Sequence, residues 1–468
     1  MKSRAWIPIL MLMICISTAG IHLAGSFWTG FISDDYELMN KAEHISFLNP
    51  LETHHQSLFI LSLFKLASQG HLSPLVWHFL ALLAHFANVI IVFFIARRGF
   101  DFSHNFALVL SLLFALNPAG YEAIAWPCAV GYVYVAIPLL LSLLLVLNTN
   151  KTRVKLHGII VALLQILAFV IWDWGILLMP ILCVCFVLFI LPTRRLSIRK
   201  SIEFIAPTFF CWLFVMTYKF LTGYSVGYHI LPPEPITAIK YFLGSPLLGL
   251  FPYQSLGFYQ SFTGITLDSF LLLLIFFFSI RYLFVRFQVV LFFLCQIPYV
   301  IFAAPQSRYF YFPVLFLYAS LLFVTSKIPK RSIQMALIIA FIAINTMWAY
   351  DRSRLWKGAY EQAQEVKRQI ETIPLGMNEK LLIVNLPDHY GPEDMIWPPF
   401  MWRNGISVFD RTFELVNTTG CPYTYERSGI PIMDRSSIER SFKGMTIYEV
   451  VYEKAGDWKR FKVLPFER

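Results

Sequence analysis

The sequence predicts a polytopic α-helical membrane protein of about eleven transmembrane helices, with interfacial helices in its first outer loop and a small α/β unit at its C-terminal end. Three observations predict this. Hydrophobic residues make up 57% of the chain and charged residues 14%, with 45 Phe and 12 Trp among 468 residues, a balance foreign to soluble globular chains. Eleven apolar runs, most of them close to the ~20 residues needed to cross hydrocarbon, follow one another up to residue 349. The composition then turns charged, so that 1–350 reads as a transmembrane unit and 351–468 as a tail.

The runs fall at 5–26, 75–96, 104–118, 129–148, 156–172, 174–191, 202–221, 269–285, 288–304, 312–326 and 332–349. The first follows Lys2 and Arg4 and lacks a clear small-residue cleavage site, so it reads as a retained span. With the N-terminus inside, cations such as Arg97, Arg98, Lys151, Arg153, Arg194 and Arg195 collect at cytoplasmic loops. The opposite face of the membrane region keeps only Lys41, Lys65, Lys219, Lys240 and Arg308. This is the positive-inside pattern. The net charge of +10 therefore reflects topology and anionic membrane lipids rather than a nucleic-acid partner. Residues 236–252 are apolar but interrupted by Lys240, Gly244, Pro246 and Pro252, and read as an interfacial or re-entrant segment; a true span there would invert every later loop. The segment 57–67, SLFILSLFKLA, is too short to cross and reads as an interfacial helix with Lys65 reaching toward water.

In the tail, RSRLWKGAYEQAQEVKRQIETI reads as an amphipathic helix ended by Pro374 and Gly376. KLLIVNLP, GISVFD and MTIYEVVYE read as strands. Asn417-Thr418-Thr419 is a glycosylation sequon on the outer side. The seven cysteines are scattered, with Cys128 near a helix mouth and Cys421 in the tail, and read as apolar filler rather than a disulfide framework.

The outer face gathers carboxylates at helix mouths: Asp34, Asp35, Glu37, Glu43, Glu52, Glu122, Asp173, Glu234 and Asp268. Adjacent Asp34 and Asp35 close the first span. From the residues alone they are either helix caps in a wet loop or groups that bind a metal, bind a cationic substrate or activate a hydroxyl. Asp173 in WDWG reads as an interface residue of the aromatic belt. No Cys/His cluster suggests zinc, and no glycine-rich strand–helix turn suggests a nucleotide donor.

GSFWTGFISDDYELMN, GHLSPLVWHFLALLAHFANVIIVFFIARR, LLFALNPAGYEAIAW and SRYFYFPVLFLYASLLF occur in that order. Together they resemble the C-type (GT-C) glycosyltransferase superfamily, in its membrane O-mannosyltransferase-like branch and its bacterial relatives; the tail's LLIVNLPDHYGPEDMIWPPFMWRNG is similar to tails of the latter. THHQSL stands where relatives often carry an Arg-Pro-Leu element, and no tetratricopeptide repeats follow the membrane region. The resemblance implies a GT-C-like fold and inverting transfer of a sugar from a polyprenyl-phosphate carrier to a glycan, lipid or protein acceptor. Transfer would occur outside the cytoplasm, at a bacterial inner (plasma) membrane, with the tail also outside.

On that reading Asp34 is the general base and Asp35 orients it or binds a cation. A carboxylate, with a reference pKa of about 3.9, is a weak base, so the proton moves late, as the new bond forms at an oxocarbenium-like centre. Arg308 is placed to neutralise the departing phosphate, with Tyr309 beside it; its alternative is an interface arginine. His54, His55 and Lys65 are further candidates for phosphate binding, against a merely solvated role. Glu122 could hold an acceptor or a metal, or simply start a helix after Pro118. The resemblance names no certain cofactor and leaves open a divalent cation (Mg or Mn), with Asp35 and Glu122 as its candidate ligands. Two other readings stay open: a transporter or flippase of lipid-linked sugars, and a glycan ligase or polymerase using a diphosphate-linked donor. A noncatalytic assembly subunit is a third.

Overall fold

The computed structural model describes residues 6–32, 34–43, 58–149, 152–172, 175, 177–185, 197–221, 243, 245–247, 249–250, 262–302, 307–376, 379–387, 409, 412–419, 421, 430–455 and 458–466. A helix stands at each of the eleven apolar runs: α1 (Trp6–Leu23), α4 (Pro74–Phe94), α5 (His104–Ala115), α7 (Gly131–Leu147), α8 (Val154–Ile171), α9 (Leu178–Cys185), α10 (Ile198–Leu221), α11 (Phe262–Arg281), α12 (Leu283–Phe302), α13 (Val314–Ser326) and α14 (Arg331–Glu371). Between the first two lie α2 (Asp34–Glu43) and α3 (Leu58–Ser68), and α6 (Tyr121–Ala125) follows α5. Six of the described helices are long and apolar enough to cross a membrane, and α5, α11, α12 and α13 contribute shorter apolar stretches. The chain is an integral membrane protein. The segment 236–252 lies for the most part outside the described residues.

Local chemistry explains the starts and the packing. Ser73 caps α4 by accepting from the Val76 N–H at 3.4 Å, with Pro74 at the first helical position. Ser103 caps α5 in the same way through Phe106. Helix α13 is apolar and buried almost all round, from Val314 to Ala319, so it is central to the bundle. On the periphery, Phe210 and Phe214 of α10 and Leu273 and Phe276 of α11 are exposed; in a membrane protein such side chains face lipid. Helices α8 and α10 approach closely at Gly158, where a Cβ would lie 2.7 Å from the Phe204 carbonyl oxygen and 3.0 Å from its Cα. Gly158→Leu is expected to pry the pair apart and cost about 1–3 kcal/mol, read as a lower unfolding midpoint in detergent.

The tail differs from expectation in one respect. The amphipathic segment 352–373 is no separate helix: it continues the last apolar run without a break in α14, a 41-residue helix about 60 Å long at 1.5 Å per residue. No proline interrupts it before Pro374, so the change of composition at 350 changes its surroundings but not its backbone. Beyond 350 its buried stripe is Arg352, Ser353, Trp356, Ala359, Ala363, Val366 and Ile370, the three-to-four spacing of one helical face.

A five-stranded sheet rests on that stripe, with strands β1 (Leu381–Val384), β2 (Glu414–Thr418), β3 (Ile432–Met433), β4 (Thr446–Ala455) and β5 (Trp458–Pro465) in the order β3-β2-β1-β4-β5. The first four are parallel, and β5 returns antiparallel to β4. Leu381 and Ile383 join the main core, whereas Leu382 and Val384 join Val416, Ile438 and Phe466 on the other face, beneath α15 (Arg435–Ser441). Strand β1 is thus buried on both faces, as a central parallel strand must be. Gln362 and Gln369 of α14 accept the Phe461 and Val463 N–H groups of β5, at 3.1 and 2.8 Å. The helix thereby covers that sheet edge. Strands β1 and β4 match KLLIVNLP and MTIYEVVYE; GISVFD lies outside the described residues except Phe409. The sequon asparagine, Asn417, is 1% exposed within β2, so the folded chain has no room for a glycan there.

Candidate functional site at the mouth of the helix bundle

Asp34 and Asp35 open α2, with Glu37 completing an acidic first turn at the end of the helix where negative charge is favoured. Adjacent helical residues point about 100° apart, and the two carboxylates meet different surroundings. Asp34 is half-buried, and its Oδ2 lies 3.9 Å from Cys128 Sγ. Asp35 is fully buried and accepts two backbone N–H bonds, from Ile32 to Oδ2 at 2.8 Å and from Cys128 to Oδ1 at 2.7 Å. It staples the start of α2 to the 126–128 stretch. Burial pushes the Asp35 carboxyl well above the usual carboxylate range; the Ile32 N–H opposes this, the Asp34 charge adds to it and the Cys128 N–H opposes it.

An acid whose folded pKa is raised holds more protons folded than unfolded, so its stabilising contribution is full below the ordinary value of 3.8 and is lost as pH rises through the raised value. The stability of the wild type relative to Asp35→Asn is therefore expected to shrink as pH climbs from about 3.5 to 7, measured by thermal unfolding across that range.

On the other side of Cys128 stand Glu122 of α6 and Arg308, which lies in a single 3₁₀ turn, Ser307–Phe310, ahead of α13. The Arg308 backbone N–H donates to Glu122 Oε2 at 3.2 Å, and its Nη1 donates to Glu122 Oε1. The guanidinium sits 4.8 Å from the Trp126 ring centroid and 5.4 Å from that of Tyr309, within cation–π range of both. Burial opposes the charge on Arg308, but Glu122 beside it holds the guanidinium firmly protonated. Cys128 lies within electrostatic reach of Asp34, Asp35, Glu122 and Arg308. The short stretch 126–128 thus joins an acidic half-site to a cationic one.

The expected site residues divide accordingly. Asp34, Asp35, Glu122, Arg308 and Tyr309 come together at one end of the bundle. Lys65 is half-buried in the last turns of α3, and His54 and His55 lie outside the described residues. Both oxygens of Asp35 and of Glu122 accept N–H donors, and no trio of His, Cys, Asp or Glu among the described residues could hold a metal ion. Two contributors escaped the sequence reading. Cys128 contributes through its backbone, whose N–H anchors Asp35. Trp126 forms the floor under Arg308, and its place four residues after Glu122, one helical turn, was the available signal.

No family model matches the sequence, and no curated protein matches it. Among solved structures, the chain is similar to ArnT from Cupriavidus metallidurans, both bound to undecaprenyl phosphate and in the apo state. Each comparison gives a TM-score of 0.43 and 11% identity, over 99% of this chain and 98% of that one.

Proposed function

We propose that the chain is a membrane glycosyltransferase that moves a sugar from a polyprenyl-phosphate carrier to an acceptor nucleophile on the extracytoplasmic side, with inversion at the anomeric carbon. The N-terminus is cytoplasmic and the tail extracytoplasmic in this reading, following the charge asymmetry of the loops. The observation that carries it is that one residue, Cys128, lies within electrostatic reach of both a half-buried carboxylate, Asp34, and a buried guanidinium, Arg308, which stacks on Trp126. Such a site has what the reaction needs at its two ends. Asp34 accepts the acceptor's proton as the new glycosidic bond forms, while Arg308 faces the negative charge that builds on the departing phosphate. The ordered run of GT-C-like motifs supports the same assignment.

In this mechanism Asp35 is a structural anchor that fixes the start of α2, not a second base. Glu122 orients Arg308 rather than binding acceptor or metal. The apolar helices give the carrier's tail access from lipid, and α3 lies at the interface. The test is turnover by the purified protein in nanodiscs, using a panel of polyprenyl-phosphate sugars and host membranes as an acceptor mixture, with released or transferred sugar read by mass spectrometry. One donor is expected to be consumed. Survival of every donor in the presence of folded protein would refute the reading and favour transport of a lipid-linked sugar.

A further inference from the structure

Above the bundle, α14 grips the loop that carries the acidic pair. Ser353 is fully buried; its Oγ donates to the Ile21 carbonyl at 2.6 Å and accepts from the Ser26 N–H at 3.1 Å. The backbones approach so closely that a Cβ on Gly25 would fall 2.2 Å from the Ser353 carbonyl oxygen. Seven residues further along α14, the Tyr360 hydroxyl covers Gly30, where a Cβ would lie 2.4 Å away. The loop 25–30 is held at both ends, and α2 with its carboxylates begins four residues later.

The same cluster reaches the other half of the site. Ser26 Oγ and the Tyr121 hydroxyl are 2.5 Å apart, His22 Nδ1 lies 3.2 Å from Ser26 Oγ, and the His22 ring stacks on the Tyr121 ring at 4.5 Å. Tyr121 directly precedes Glu122, the partner of Arg308. All four side chains are at least nine-tenths buried. Buried hydroxyls keep their partners, so Ser353, Ser26 and Tyr121 form a three-way junction joining α14, the acidic loop and α6.

We infer that Ser353 and Tyr121 are positioning residues: through the Ser26 junction they set the register of Asp34 against Arg308 and tie that register to the helix on which the tail sheet rests. This rests on the glycosyltransferase reading of the site. Neither residue touches the reacting groups, so their loss should disturb the transition-state geometry and spare donor binding. Misplacement of reacting groups by about 1 Å costs on the order of 100-fold. Tyr121→Phe, which keeps the ring on His22, and Ser353→Ala are each expected to lower kcat about 10- to 100-fold with donor KM within about twofold. The double variant should lose little more than either single one, since both act through one junction.

Amide hydrogen exchange on the same full-length variants supplies a readout independent of turnover, with faster exchange expected at residues 26–32 and at Asp35. A drop in melting temperature with unchanged kcat and unchanged exchange would show a merely structural role and overturn the inference. So would additive losses in the double variant. If the wild type consumes no donor, the glycosyltransferase reading fails separately, and unchanged exchange in Tyr121→Phe then overturns the junction on its own.

Discussion

Asp34→Asn is expected to remove turnover by about two to four orders of magnitude while the melting temperature stays at the wild-type value. Asp34 is half-buried, and the Ile32 and Cys128 N–H groups that fasten the loop are held by Asp35. An amide there keeps the shape of the carboxylate but cannot take the acceptor's proton. The neighbouring substitution is the internal control. Asp35→Asn presents an NH₂ group to one of two buried backbone N–H donors, leaving that donor unsatisfied at a cost of about 1–3 kcal/mol. Its signature is therefore a lower unfolding midpoint, with the gap to wild type widest in acid, and a loss of activity that tracks the loss of folded protein. Initial rates and thermal unfolding on the two variants separate these outcomes. Asp34→Asn that retains turnover within about tenfold of wild type would take the base assignment away from it.

The split between these two residues also marks how far the sequence could be read. Eleven apolar runs foretold where helices lie, because hydrocarbon length and backbone satisfaction leave a long apolar run little choice. They could not tell Asp34 from Asp35. That difference arises only when α2 buries the Asp35 carboxylate on the Ile32 and Cys128 backbone N–H groups and leaves Asp34 half-exposed. Glu122 and Arg308 were each visible as an outer-face charge, but their union spans 186 positions in the chain, and no local pattern encodes it. In the tail, the change in composition at 350 brings no break in the helix, because no proline separates the residues on its two sides. Strand β2 escaped notice because its five residues include Glu414 and Asn417, which mask the apolar signature of a buried parallel strand.

The second large effect concerns the Glu122–Arg308 pair, where stability and catalysis should come apart. Arg308→Ala takes the guanidinium from the buried Glu122 carboxylate, and Glu122→Ala takes the carboxylate from the buried guanidinium; each is expected to cost about 3–5 kcal/mol. Removing both charges in Glu122→Leu/Arg308→Met avoids the lone buried ion, and well-packed apolar replacements of buried pairs are often neutral or stabilising. The double variant should therefore unfold within about 1–2 kcal/mol of wild type. If the pair served the fold alone, that variant would also work. With Arg308 facing the departing phosphate, it should instead remain about 10²- to 10³-fold slower than wild type, the range for loss of one preorganised donor to developing charge. Denaturation midpoints and initial rates on the same preparations decide between the two. A stable double variant that turns over at the wild-type rate would reduce Arg308 to a buried strut. A stable and inactive one would keep Arg308, with Glu122 to hold it, as the group that faces the departing phosphate.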